Sequence, residues 1–275
     1  MRVLLVPVAD RPECARALQT AFDLAGRIGA SVSGCHIRPH RYSDVALSPA
    51  FAEAIWRRKS TKKAPVAAQA LYRRIAESSG FELIRRPRAA PGALWSERVG
   101  SPARIMDIVG PVSDMIVVSR PKRPGSVADM FLQAALLETS TPVLMLPQAG
   151  RRRVGRRICI GWDQSPAAAR AVSAAIPLLL HAKTVTIVSC GAEDRPGPKS
   201  SQLSAYLASW GIRAERLHSR GKDVEPELMD ACQEAGADLL VTGAYSRNRW
   251  REKVFGGTTE FLIHKARIPV FMLHV

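Results

Sequence analysis

The residues best suited to chemistry lie near the end of the chain. Val241-Thr242-Gly243-Ala244-Tyr245-Ser246 is followed by the nine residues Arg247 to Phe255 and then by Gly256-Gly257-Thr258-Thr259. The stretch reads as a strand tip, a small-residue turn, a basic loop and the small, polar start of a helix. Amides at such a turn and at a helix N-terminus converge on an anion, because they lack intrahelical partners and sit at the positive end of the helix dipole. A phosphate is the anion this outline suits. Gly243 is expected to let the backbone turn sharply after a strand, and Ser246 adds a hydroxyl. Gly256, Gly257 and Thr258 allow close approach to the helix start, while Arg247, Arg249, Arg251 and Lys253 stand between to screen phosphate charge. Asp163, closing the apolar run that starts at Arg157, supplies an acceptor for hydroxyl or amino groups. A turn followed by a helix cap with no ligand would look the same in the glycines alone.

The elements that must position these residues occur twice. Arg2 to Asp10 and Arg157 to Asp163 are short apolar runs ending in aspartate, each followed by an alanine-rich helical segment, Cys14 to Gly29 and Pro166 to Leu180. Apolar β-type runs come next, Ser31 to Ile37 and Thr184 to Cys190. Asp114 to Val118 then corresponds to Asp238 to Thr242, and Thr141 to Pro147 to Ile268 to His274. Repeats of this size indicate domain duplication, and continuously apolar strands alternating with helices indicate parallel sheets covered on both faces. Ligands of such sheets bind beyond the carboxyl ends of the strands, where Asp10, Asp163, Ser119 and Gly243 are expected. The halves differ between Ile37 and Gly80, where the first carries an extended segment with a helical pattern from about Pro49 that includes Phe51, Ile55, Trp56, Leu71 and Ile75. In the second half Gly197 to Trp210 supplies one loop and one short helix before a strand over Arg213 to His218.

With both halves laid out, the chain resembles a tandem universal stress protein. Nucleotide-binding members of that family carry Gly-x-x-Gly, nine residues, then Gly-Ser or Gly-Thr after the fourth strand. Here Gly243 to Ser246, Arg247 to Phe255 and Gly256-Gly257-Thr258 keep the spacing, with serine at the second glycine and glycine ahead of the hydroxyl residue. The resemblance implies an α/β fold of two doubly wound parallel five-stranded sheets, Rossmann-like and adenine nucleotide alpha hydrolase-like. They would pack as a pseudo-dimer through the final strands, Val143 to Leu146 and Val270 to Leu273. It also implies a nucleotide site in the C-terminal domain, residues 155–275. ATP, with Mg²⁺ as its companion, would place adenine near Cys190. Ribose and triphosphate would lie between Asp163 and the loop bearing Gly243, Ser246, Arg247, Gly256, Gly257 and Thr258.

The N-terminal domain, residues 1–149, reads differently. Val118-Ser119-Arg120-Pro121-Lys122 follows its strand, no paired glycines precede the final helix, and Leu132 and Gln133 stand where a phosphate needs bare backbone. Gly125-Ser126 has the wrong spacing for a displaced loop. This half is expected to be a degenerate, structural partner.

Composition narrows the remaining classes. The 275 residues are 47% hydrophobic and 23% charged, a globular balance. The net charge of +16 is divided as +9 over residues 1–150 and +7 over 151–275, a field that attracts anions without selecting among them. The clusters at Arg57 to Lys63, Arg85 to Arg88 and Arg151 to Arg153 are expected to be solvated faces or linkers. Apolar stretches fall short of the ~20 residues of a membrane helix, and no signal-peptide pattern opens the chain, so a cytoplasmic address is expected. The five scattered cysteines suit buried, reduced thiols, and the six histidines show no metal-binding spacing. Walker, nucleophile-elbow and zincin motifs are missing, as is a dinucleotide fingerprint. No dedicated base for water activation is evident, so binding in stress signalling or protection is expected, with at most slow ATP hydrolysis. The alternative is a scaffold whose basic surface binds a partner protein or nucleic acid. Both an intramolecular pseudo-dimer and a homodimer of chains fit either reading.

Overall fold

A computed structural model describes residues 1–9, 11–38, 64–149, 153–219, 223–244 and 257–274. The chain divides into two compact units, Met1–Thr141 and Pro142–Val275.

In the N-terminal unit the strands are β1 (Val3–Pro7), β2 (Ser31–Arg38), β3 (Leu83–Ile84), β4 (Ala93–Val99) and β5 (Met115–Ser119). Its helices are α1 (Pro12–Ile28), α2 (Ala64–Ser78), α3 (Pro102–Val109) and α4 (Val127–Leu137). The sheet runs β3-β4-β2-β1-β5 with parallel pairing throughout. β1 and β5 have no exposed residue, as strands covered on both faces require. α1 starts at Pro12, which suits a first helical turn, and stops at Gly29, whose left-handed φ of 68° closes the helix with an N–H donated to Ala25 O. Leu71 and Ile75 lie on the buried face of α2 with Tyr72, whose hydroxyl donates to Val32 O at 2.7 Å. Phe51, Ile55 and Trp56 lie outside the described residues.

β3, β4 and α3 had no counterpart in the sequence pattern. Trp95 to Val99 mixes Ser96, Glu97 and Arg98 with apolar residues, because the outer side of β4 meets only the two-residue β3. Burial falls off along the strand, and the apolar run that marks a central strand is lost.

The C-terminal unit contains β6 (Val143–Leu146), β7 (Arg157–Gly161), β8 (Thr184–Cys190), β9 (Ala214–Ser219), β10 (Leu239–Ala244) and β11 (Val270–His274). Its helices are α5 (Pro166–Leu179), α6 (Ser200–Ser209), α7 (Val224–Glu234) and α8 (Gly257–Lys265). Its order is β6-β11-β10-β7-β8-β9, parallel except for β6. The two closing strands do pair: Val270, Phe271 and Met272 lie opposite Met145, Leu144 and Val143, antiparallel. β6 belongs to the second compact unit, so this pairing is internal to it.

The same device fastens β1 and β7. Asp114 Oδ2 accepts the backbone N–H groups of Arg2 and Val3 at 2.6 and 2.8 Å, and Asp238 Oδ1 accepts those of Gly155, Arg156 and Arg157 at 2.9, 2.9 and 3.0 Å. These aspartates precede β5 and β10, so each ties the sheet together at its amino end, away from the ligand edge. Among the described residues no helix is long and apolar enough to cross a membrane.

Candidate functional site

In the C-terminal unit the carboxyl ends of β7, β8 and β10 carry the expected residues. Asp163 follows β7 and is exposed. Its Oδ1 accepts the N–H of Ser165 at 3.1 Å, and its Oδ2 accepts from Arg195 Nη1 at 3.3 Å. Both partners of that ion pair are exposed, so it is worth little and is easily exchanged for a ligand. The next residue, Gln164, is buried and adopts a left-handed φ of 63°. Its side-chain amide donates to Arg195 O and Gly197 O, both at 3.1 Å, and accepts from Arg195 N at 3.2 Å. Trp162 Nε1 donates to Pro198 O at 2.9 Å. The segment 191–199 is thus tied to the end of β7 by two side chains, a role the sequence reading missed. The clue available in the sequence was a glutamine and a tryptophan flanking the strand-end aspartate.

Cys190 ends β8 and is partly buried. Burial, and then the nearby charge of Glu227, push its thiol up to about 11, so it stays protonated and unreactive at neutral pH. Glu227 is held by Ser219 Oγ and, at 3.0 Å, by the N–H of Asp223. Deeper in this unit, Cys159 of β7 and Cys232 of α7 are both buried. Glu193 Oε1 accepts from Ser189 Oγ at 2.8 Å and from Ser200 N at 3.0 Å. Burial would raise its carboxyl, but the hydrogen bonds from Ser200 and Ser189 outweigh it and hold the group below the usual range.

Gly243 does not turn the chain. It lies inside β10, opposite Leu273 of β11, and its φ is outside the left-handed region. A Cβ at 243 would come within 2.6 Å of Ala168 N, 2.8 Å of Ala167 C and 2.9 Å of Ala167 Cβ. The glycine is there because the first turn of α5 packs directly on the strand. That turn is closed by Ser165, whose Oγ accepts from Ala168 N at 3.1 Å, with Pro166 at the first helical position.

Gly257 and Thr258 form the start of α8. The nearest atom to a Cβ built on Gly257 is Glu225 Oε1, at 3.8 Å, and Thr258 Oγ1 donates to the same oxygen at 2.8 Å. Glu225, in the first turn of α7, therefore does more than complement its own helix dipole: it reaches across to α8. Ser246, Arg247 and Gly256 lie outside the described residues.

The N-terminal unit can be superposed by register. Val8 N bonds Cys35 O at 2.8 Å, just as Trp162 N bonds Val188 O at 2.9 Å, so Val8 matches Trp162 and Ala9 matches Asp163. The correspondence of Asp10 with Asp163 expected from the sequence is thus one residue out of step; Asp10 itself lies outside the described residues. Ser119 takes the place of Gly243, and its Oγ donates to Glu13 O in the first turn of α1 at 2.7 Å. The helix after β5 begins at Val127, earlier than its sequence suggested, with Gly125-Ser126 as its actual start. Ser126 Oγ accepts from Asp129 N at 3.2 Å, and Asp129 Oδ2 accepts from Gly125 N at 2.8 Å and Gln133 Nε2 at 3.0 Å. Leu132 is a buried core residue of that helix rather than an obstruction at its tip. Nearby, His36 Nδ1 meets Val8 O at 2.8 Å, and His36 stacks on Trp95 with ring centroids 6.3 Å apart.

Residues 155–274 match the universal stress protein family. No curated protein matches the chain by sequence. Among solved structures, a universal stress protein from Archaeoglobus fulgidus DSM 4304 is 15% identical, with a TM-score of 0.69 over 99% of this chain and 98% of that one. A putative universal stress protein from Pseudomonas aeruginosa UCBPP-PA14 is 17% identical, with a TM-score of 0.61 over 100% of this chain and 93% of that one. The duplicated α/β units, the strand order about β7 and β10, and these similarities lead to one assignment: residues 155–274 are a universal stress protein domain, and the whole chain has the fold of a tandem universal stress protein.

Proposed function

We propose that the chain is a stress-response protein that binds ATP or a related adenine nucleotide at the carboxyl edge of its C-terminal sheet, with binding rather than turnover as the chemical event. The observation that carries this reading is an exposed carboxylate beyond β7 in the same unit as a helix that opens on glycine. Asp163 stands beyond β7 with an exchangeable partner, and α8 opens on Gly257. The carboxylate suits ribose hydroxyls, and the start of α8, at the positive end of its helix dipole, suits a phosphate. The loop carrying Ser246, Arg247 and Gly256 would complete the phosphate end, and the end of β8 near Cys190 would face the adenine. A companion Mg²⁺ would be held chiefly by nucleotide phosphates and water, as that ion commonly is. Among the described residues no group of three or more His, Cys, Asp and Glu is placed to cage a metal.

Titration calorimetry on ligand-stripped protein tests the reading. The wild type should give saturable heat with an adenine nucleotide, and Asp163→Ala should weaken binding about tenfold, the scale of one lost charged hydrogen bond. Ser126→Ala, in the other unit, should leave it unchanged. Absence of heat, or equal affinity for wild type and Asp163→Ala, overturns the proposal.

A further inference from the structure

We propose that segment 191–199 is a preformed clamp, positioned by Gln164, that presents Arg195 beside Asp163 as a phosphate-binding residue. The C-terminal site then favours an adenine nucleotide that carries a phosphate on one of the two ring hydroxyls of its ribose. This rests on the nucleotide reading above and extends it to the substituent on the ribose.

The segment is fixed from three sides. The buried side chain of Gln164 accepts from Arg195 N at 3.2 Å and donates to Arg195 O and Gly197 O, both at 3.1 Å, so one amide holds the N–H and the carbonyl of Arg195 together. Trp162 Nε1 holds Pro198 O at 2.9 Å, and Glu193 Oε1 joins the segment to Ser189 Oγ and Ser200 N. The backbones also lie directly on each other, since a Cβ on Gly197 would come within 2.2 Å of Gln164 O. Among the described residues Gln164 alone of the non-glycines has a left-handed φ, at 63°. That conformation costs free energy and persists only where its surroundings enforce it.

What this rigid backbone carries is an exchangeable cation. The exposed guanidinium of Arg195 meets the exposed Asp163 Oδ2 at 3.3 Å, a weak pair. Asp163 keeps Ser165 N–H on its other oxygen at 3.1 Å. The two ring hydroxyls of ribose stand on adjacent carbons, so when Asp163 accepts from one, a phosphate on the other falls beside Arg195. A guanidinium gives a phosphate two parallel charge-assisted hydrogen bonds, a better match than the single contact it makes with Asp163. Repulsion between that phosphate and Asp163 is small in so exposed a setting. With its backbone already ordered, Arg195 loses little freedom on binding.

Calorimetry on the ligand-stripped full chain reads this with adenosine and its 2′-, 3′- and 5′-monophosphates, the last carrying the same charge away from the ring hydroxyls. Wild type should bind the 2′- or the 3′-phosphate about tenfold more tightly than adenosine, the scale of an exposed charge-assisted pair. Arg195→Gln should lower the ratio of that affinity to the one for the 5′-phosphate by about tenfold. Gln164→Gly accepts the left-handed backbone, removes the three hydrogen bonds to the clamp, and should lower the same ratio severalfold with Arg195 still in place. A wild type that binds neither ring phosphate more tightly than adenosine, or an unchanged ratio in either variant, overturns the proposal, while binding of the 5′-phosphate leaves the nucleotide reading standing. Failure of the wild type to bind any of the four ligands overturns both. If Gln164→Gly lacks a cooperative melt, Gln164→Asn, which also tolerates a left-handed φ but is one carbon shorter, supplies the comparison.

Discussion

The two helices that follow β5 and β10 begin in different ways. α4 is closed from within: Ser126 accepts from Asp129 N, and Asp129 accepts from Gly125 N, all within five residues. α8 receives its carboxylate from Glu225, 33 residues away on α7. A local cap forms with its own helix and is exchanged only by disturbing that helix. In α8 the contact joins side chains of two helices, the Thr258 hydroxyl and the Glu225 carboxylate. The two helix starts thus differ in where their acidic partner comes from: the same helix for α4 and another helix for α8. The loop lengths agree: seven residues separate Ser119 from Val127, and twelve separate Ala244 from Gly257.

The contrast also appears where each first helix meets its strand. Ser119 fits between β5 and α1 and donates to Glu13 O, whereas Gly243 leaves no room for a side chain against Ala167 and Ala168. Exchanging the two residue types should give the largest effect. Gly243→Ser forces a Cβ onto backbone atoms and should cost about 3 kcal/mol, the scale of core overpacking, while Ser119→Gly should cost about 1 kcal/mol for the lost hydrogen bond and added chain freedom. Urea denaturation gives both values. Similar losses at the two sites would erase the distinction.

A smaller effect separates the caps. Asp129→Ala should destabilise the N-terminal unit by about 1 kcal/mol, as loss of a capping residue does, and leave ligand binding unaltered. Glu225→Gln should change stability by under about 0.5 kcal/mol, since only a partly exposed side-chain contact is altered. Hydrogen exchange of the amides at the start of α4 and of α8 would locate each change. Equal loosening of both helix starts would mean that Glu225 is a structural cap like Asp129.

The smallest signal concerns Cys190, the site thiol that is not fully buried. With its thiol pushed up to about 11, alkylation should be slow at pH 7 and rise about tenfold per pH unit until it levels near that value. Glu227→Gln removes a neighbouring charge and should shift the rise toward lower pH. Mass analysis of the labelled peptide follows both. Rapid alkylation at pH 7 would contradict a partly buried thiol that stays protonated.

Much of the fold was legible in the chain because central parallel strands bury both faces and so appear as continuous apolar runs. Val3 to Val6, Ile116 to Val118, Ile158 to Ile160 and Leu239 to Val241 show this directly. The helix boundaries at Pro12 and Pro166 were legible for a local reason as well, since proline at a first turn lacks an N–H that the helix would leave unpaired. β4 was not legible, because half of its pattern is set by a neighbour only two residues long. Within the site, the strand-end Asp163 and the small-residue opening of α8 could be found by type and spacing. The roles of Gln164 and Trp162 could not, since the segment they hold is about thirty residues further along the chain.

By itself, then, the amino-acid sequence determined the duplication, the α/β alternation, and which half keeps glycines ahead of its last helix. These follow from local burial pattern and backbone preference. Only the tertiary structure decided that Gly243 is a packing residue, that Ala9 rather than Asp10 matches Asp163, and that Glu225 reaches the start of α8. Each of those depends on strand register or on contact between segments far apart in the chain, and neither is set by nearest neighbours in sequence.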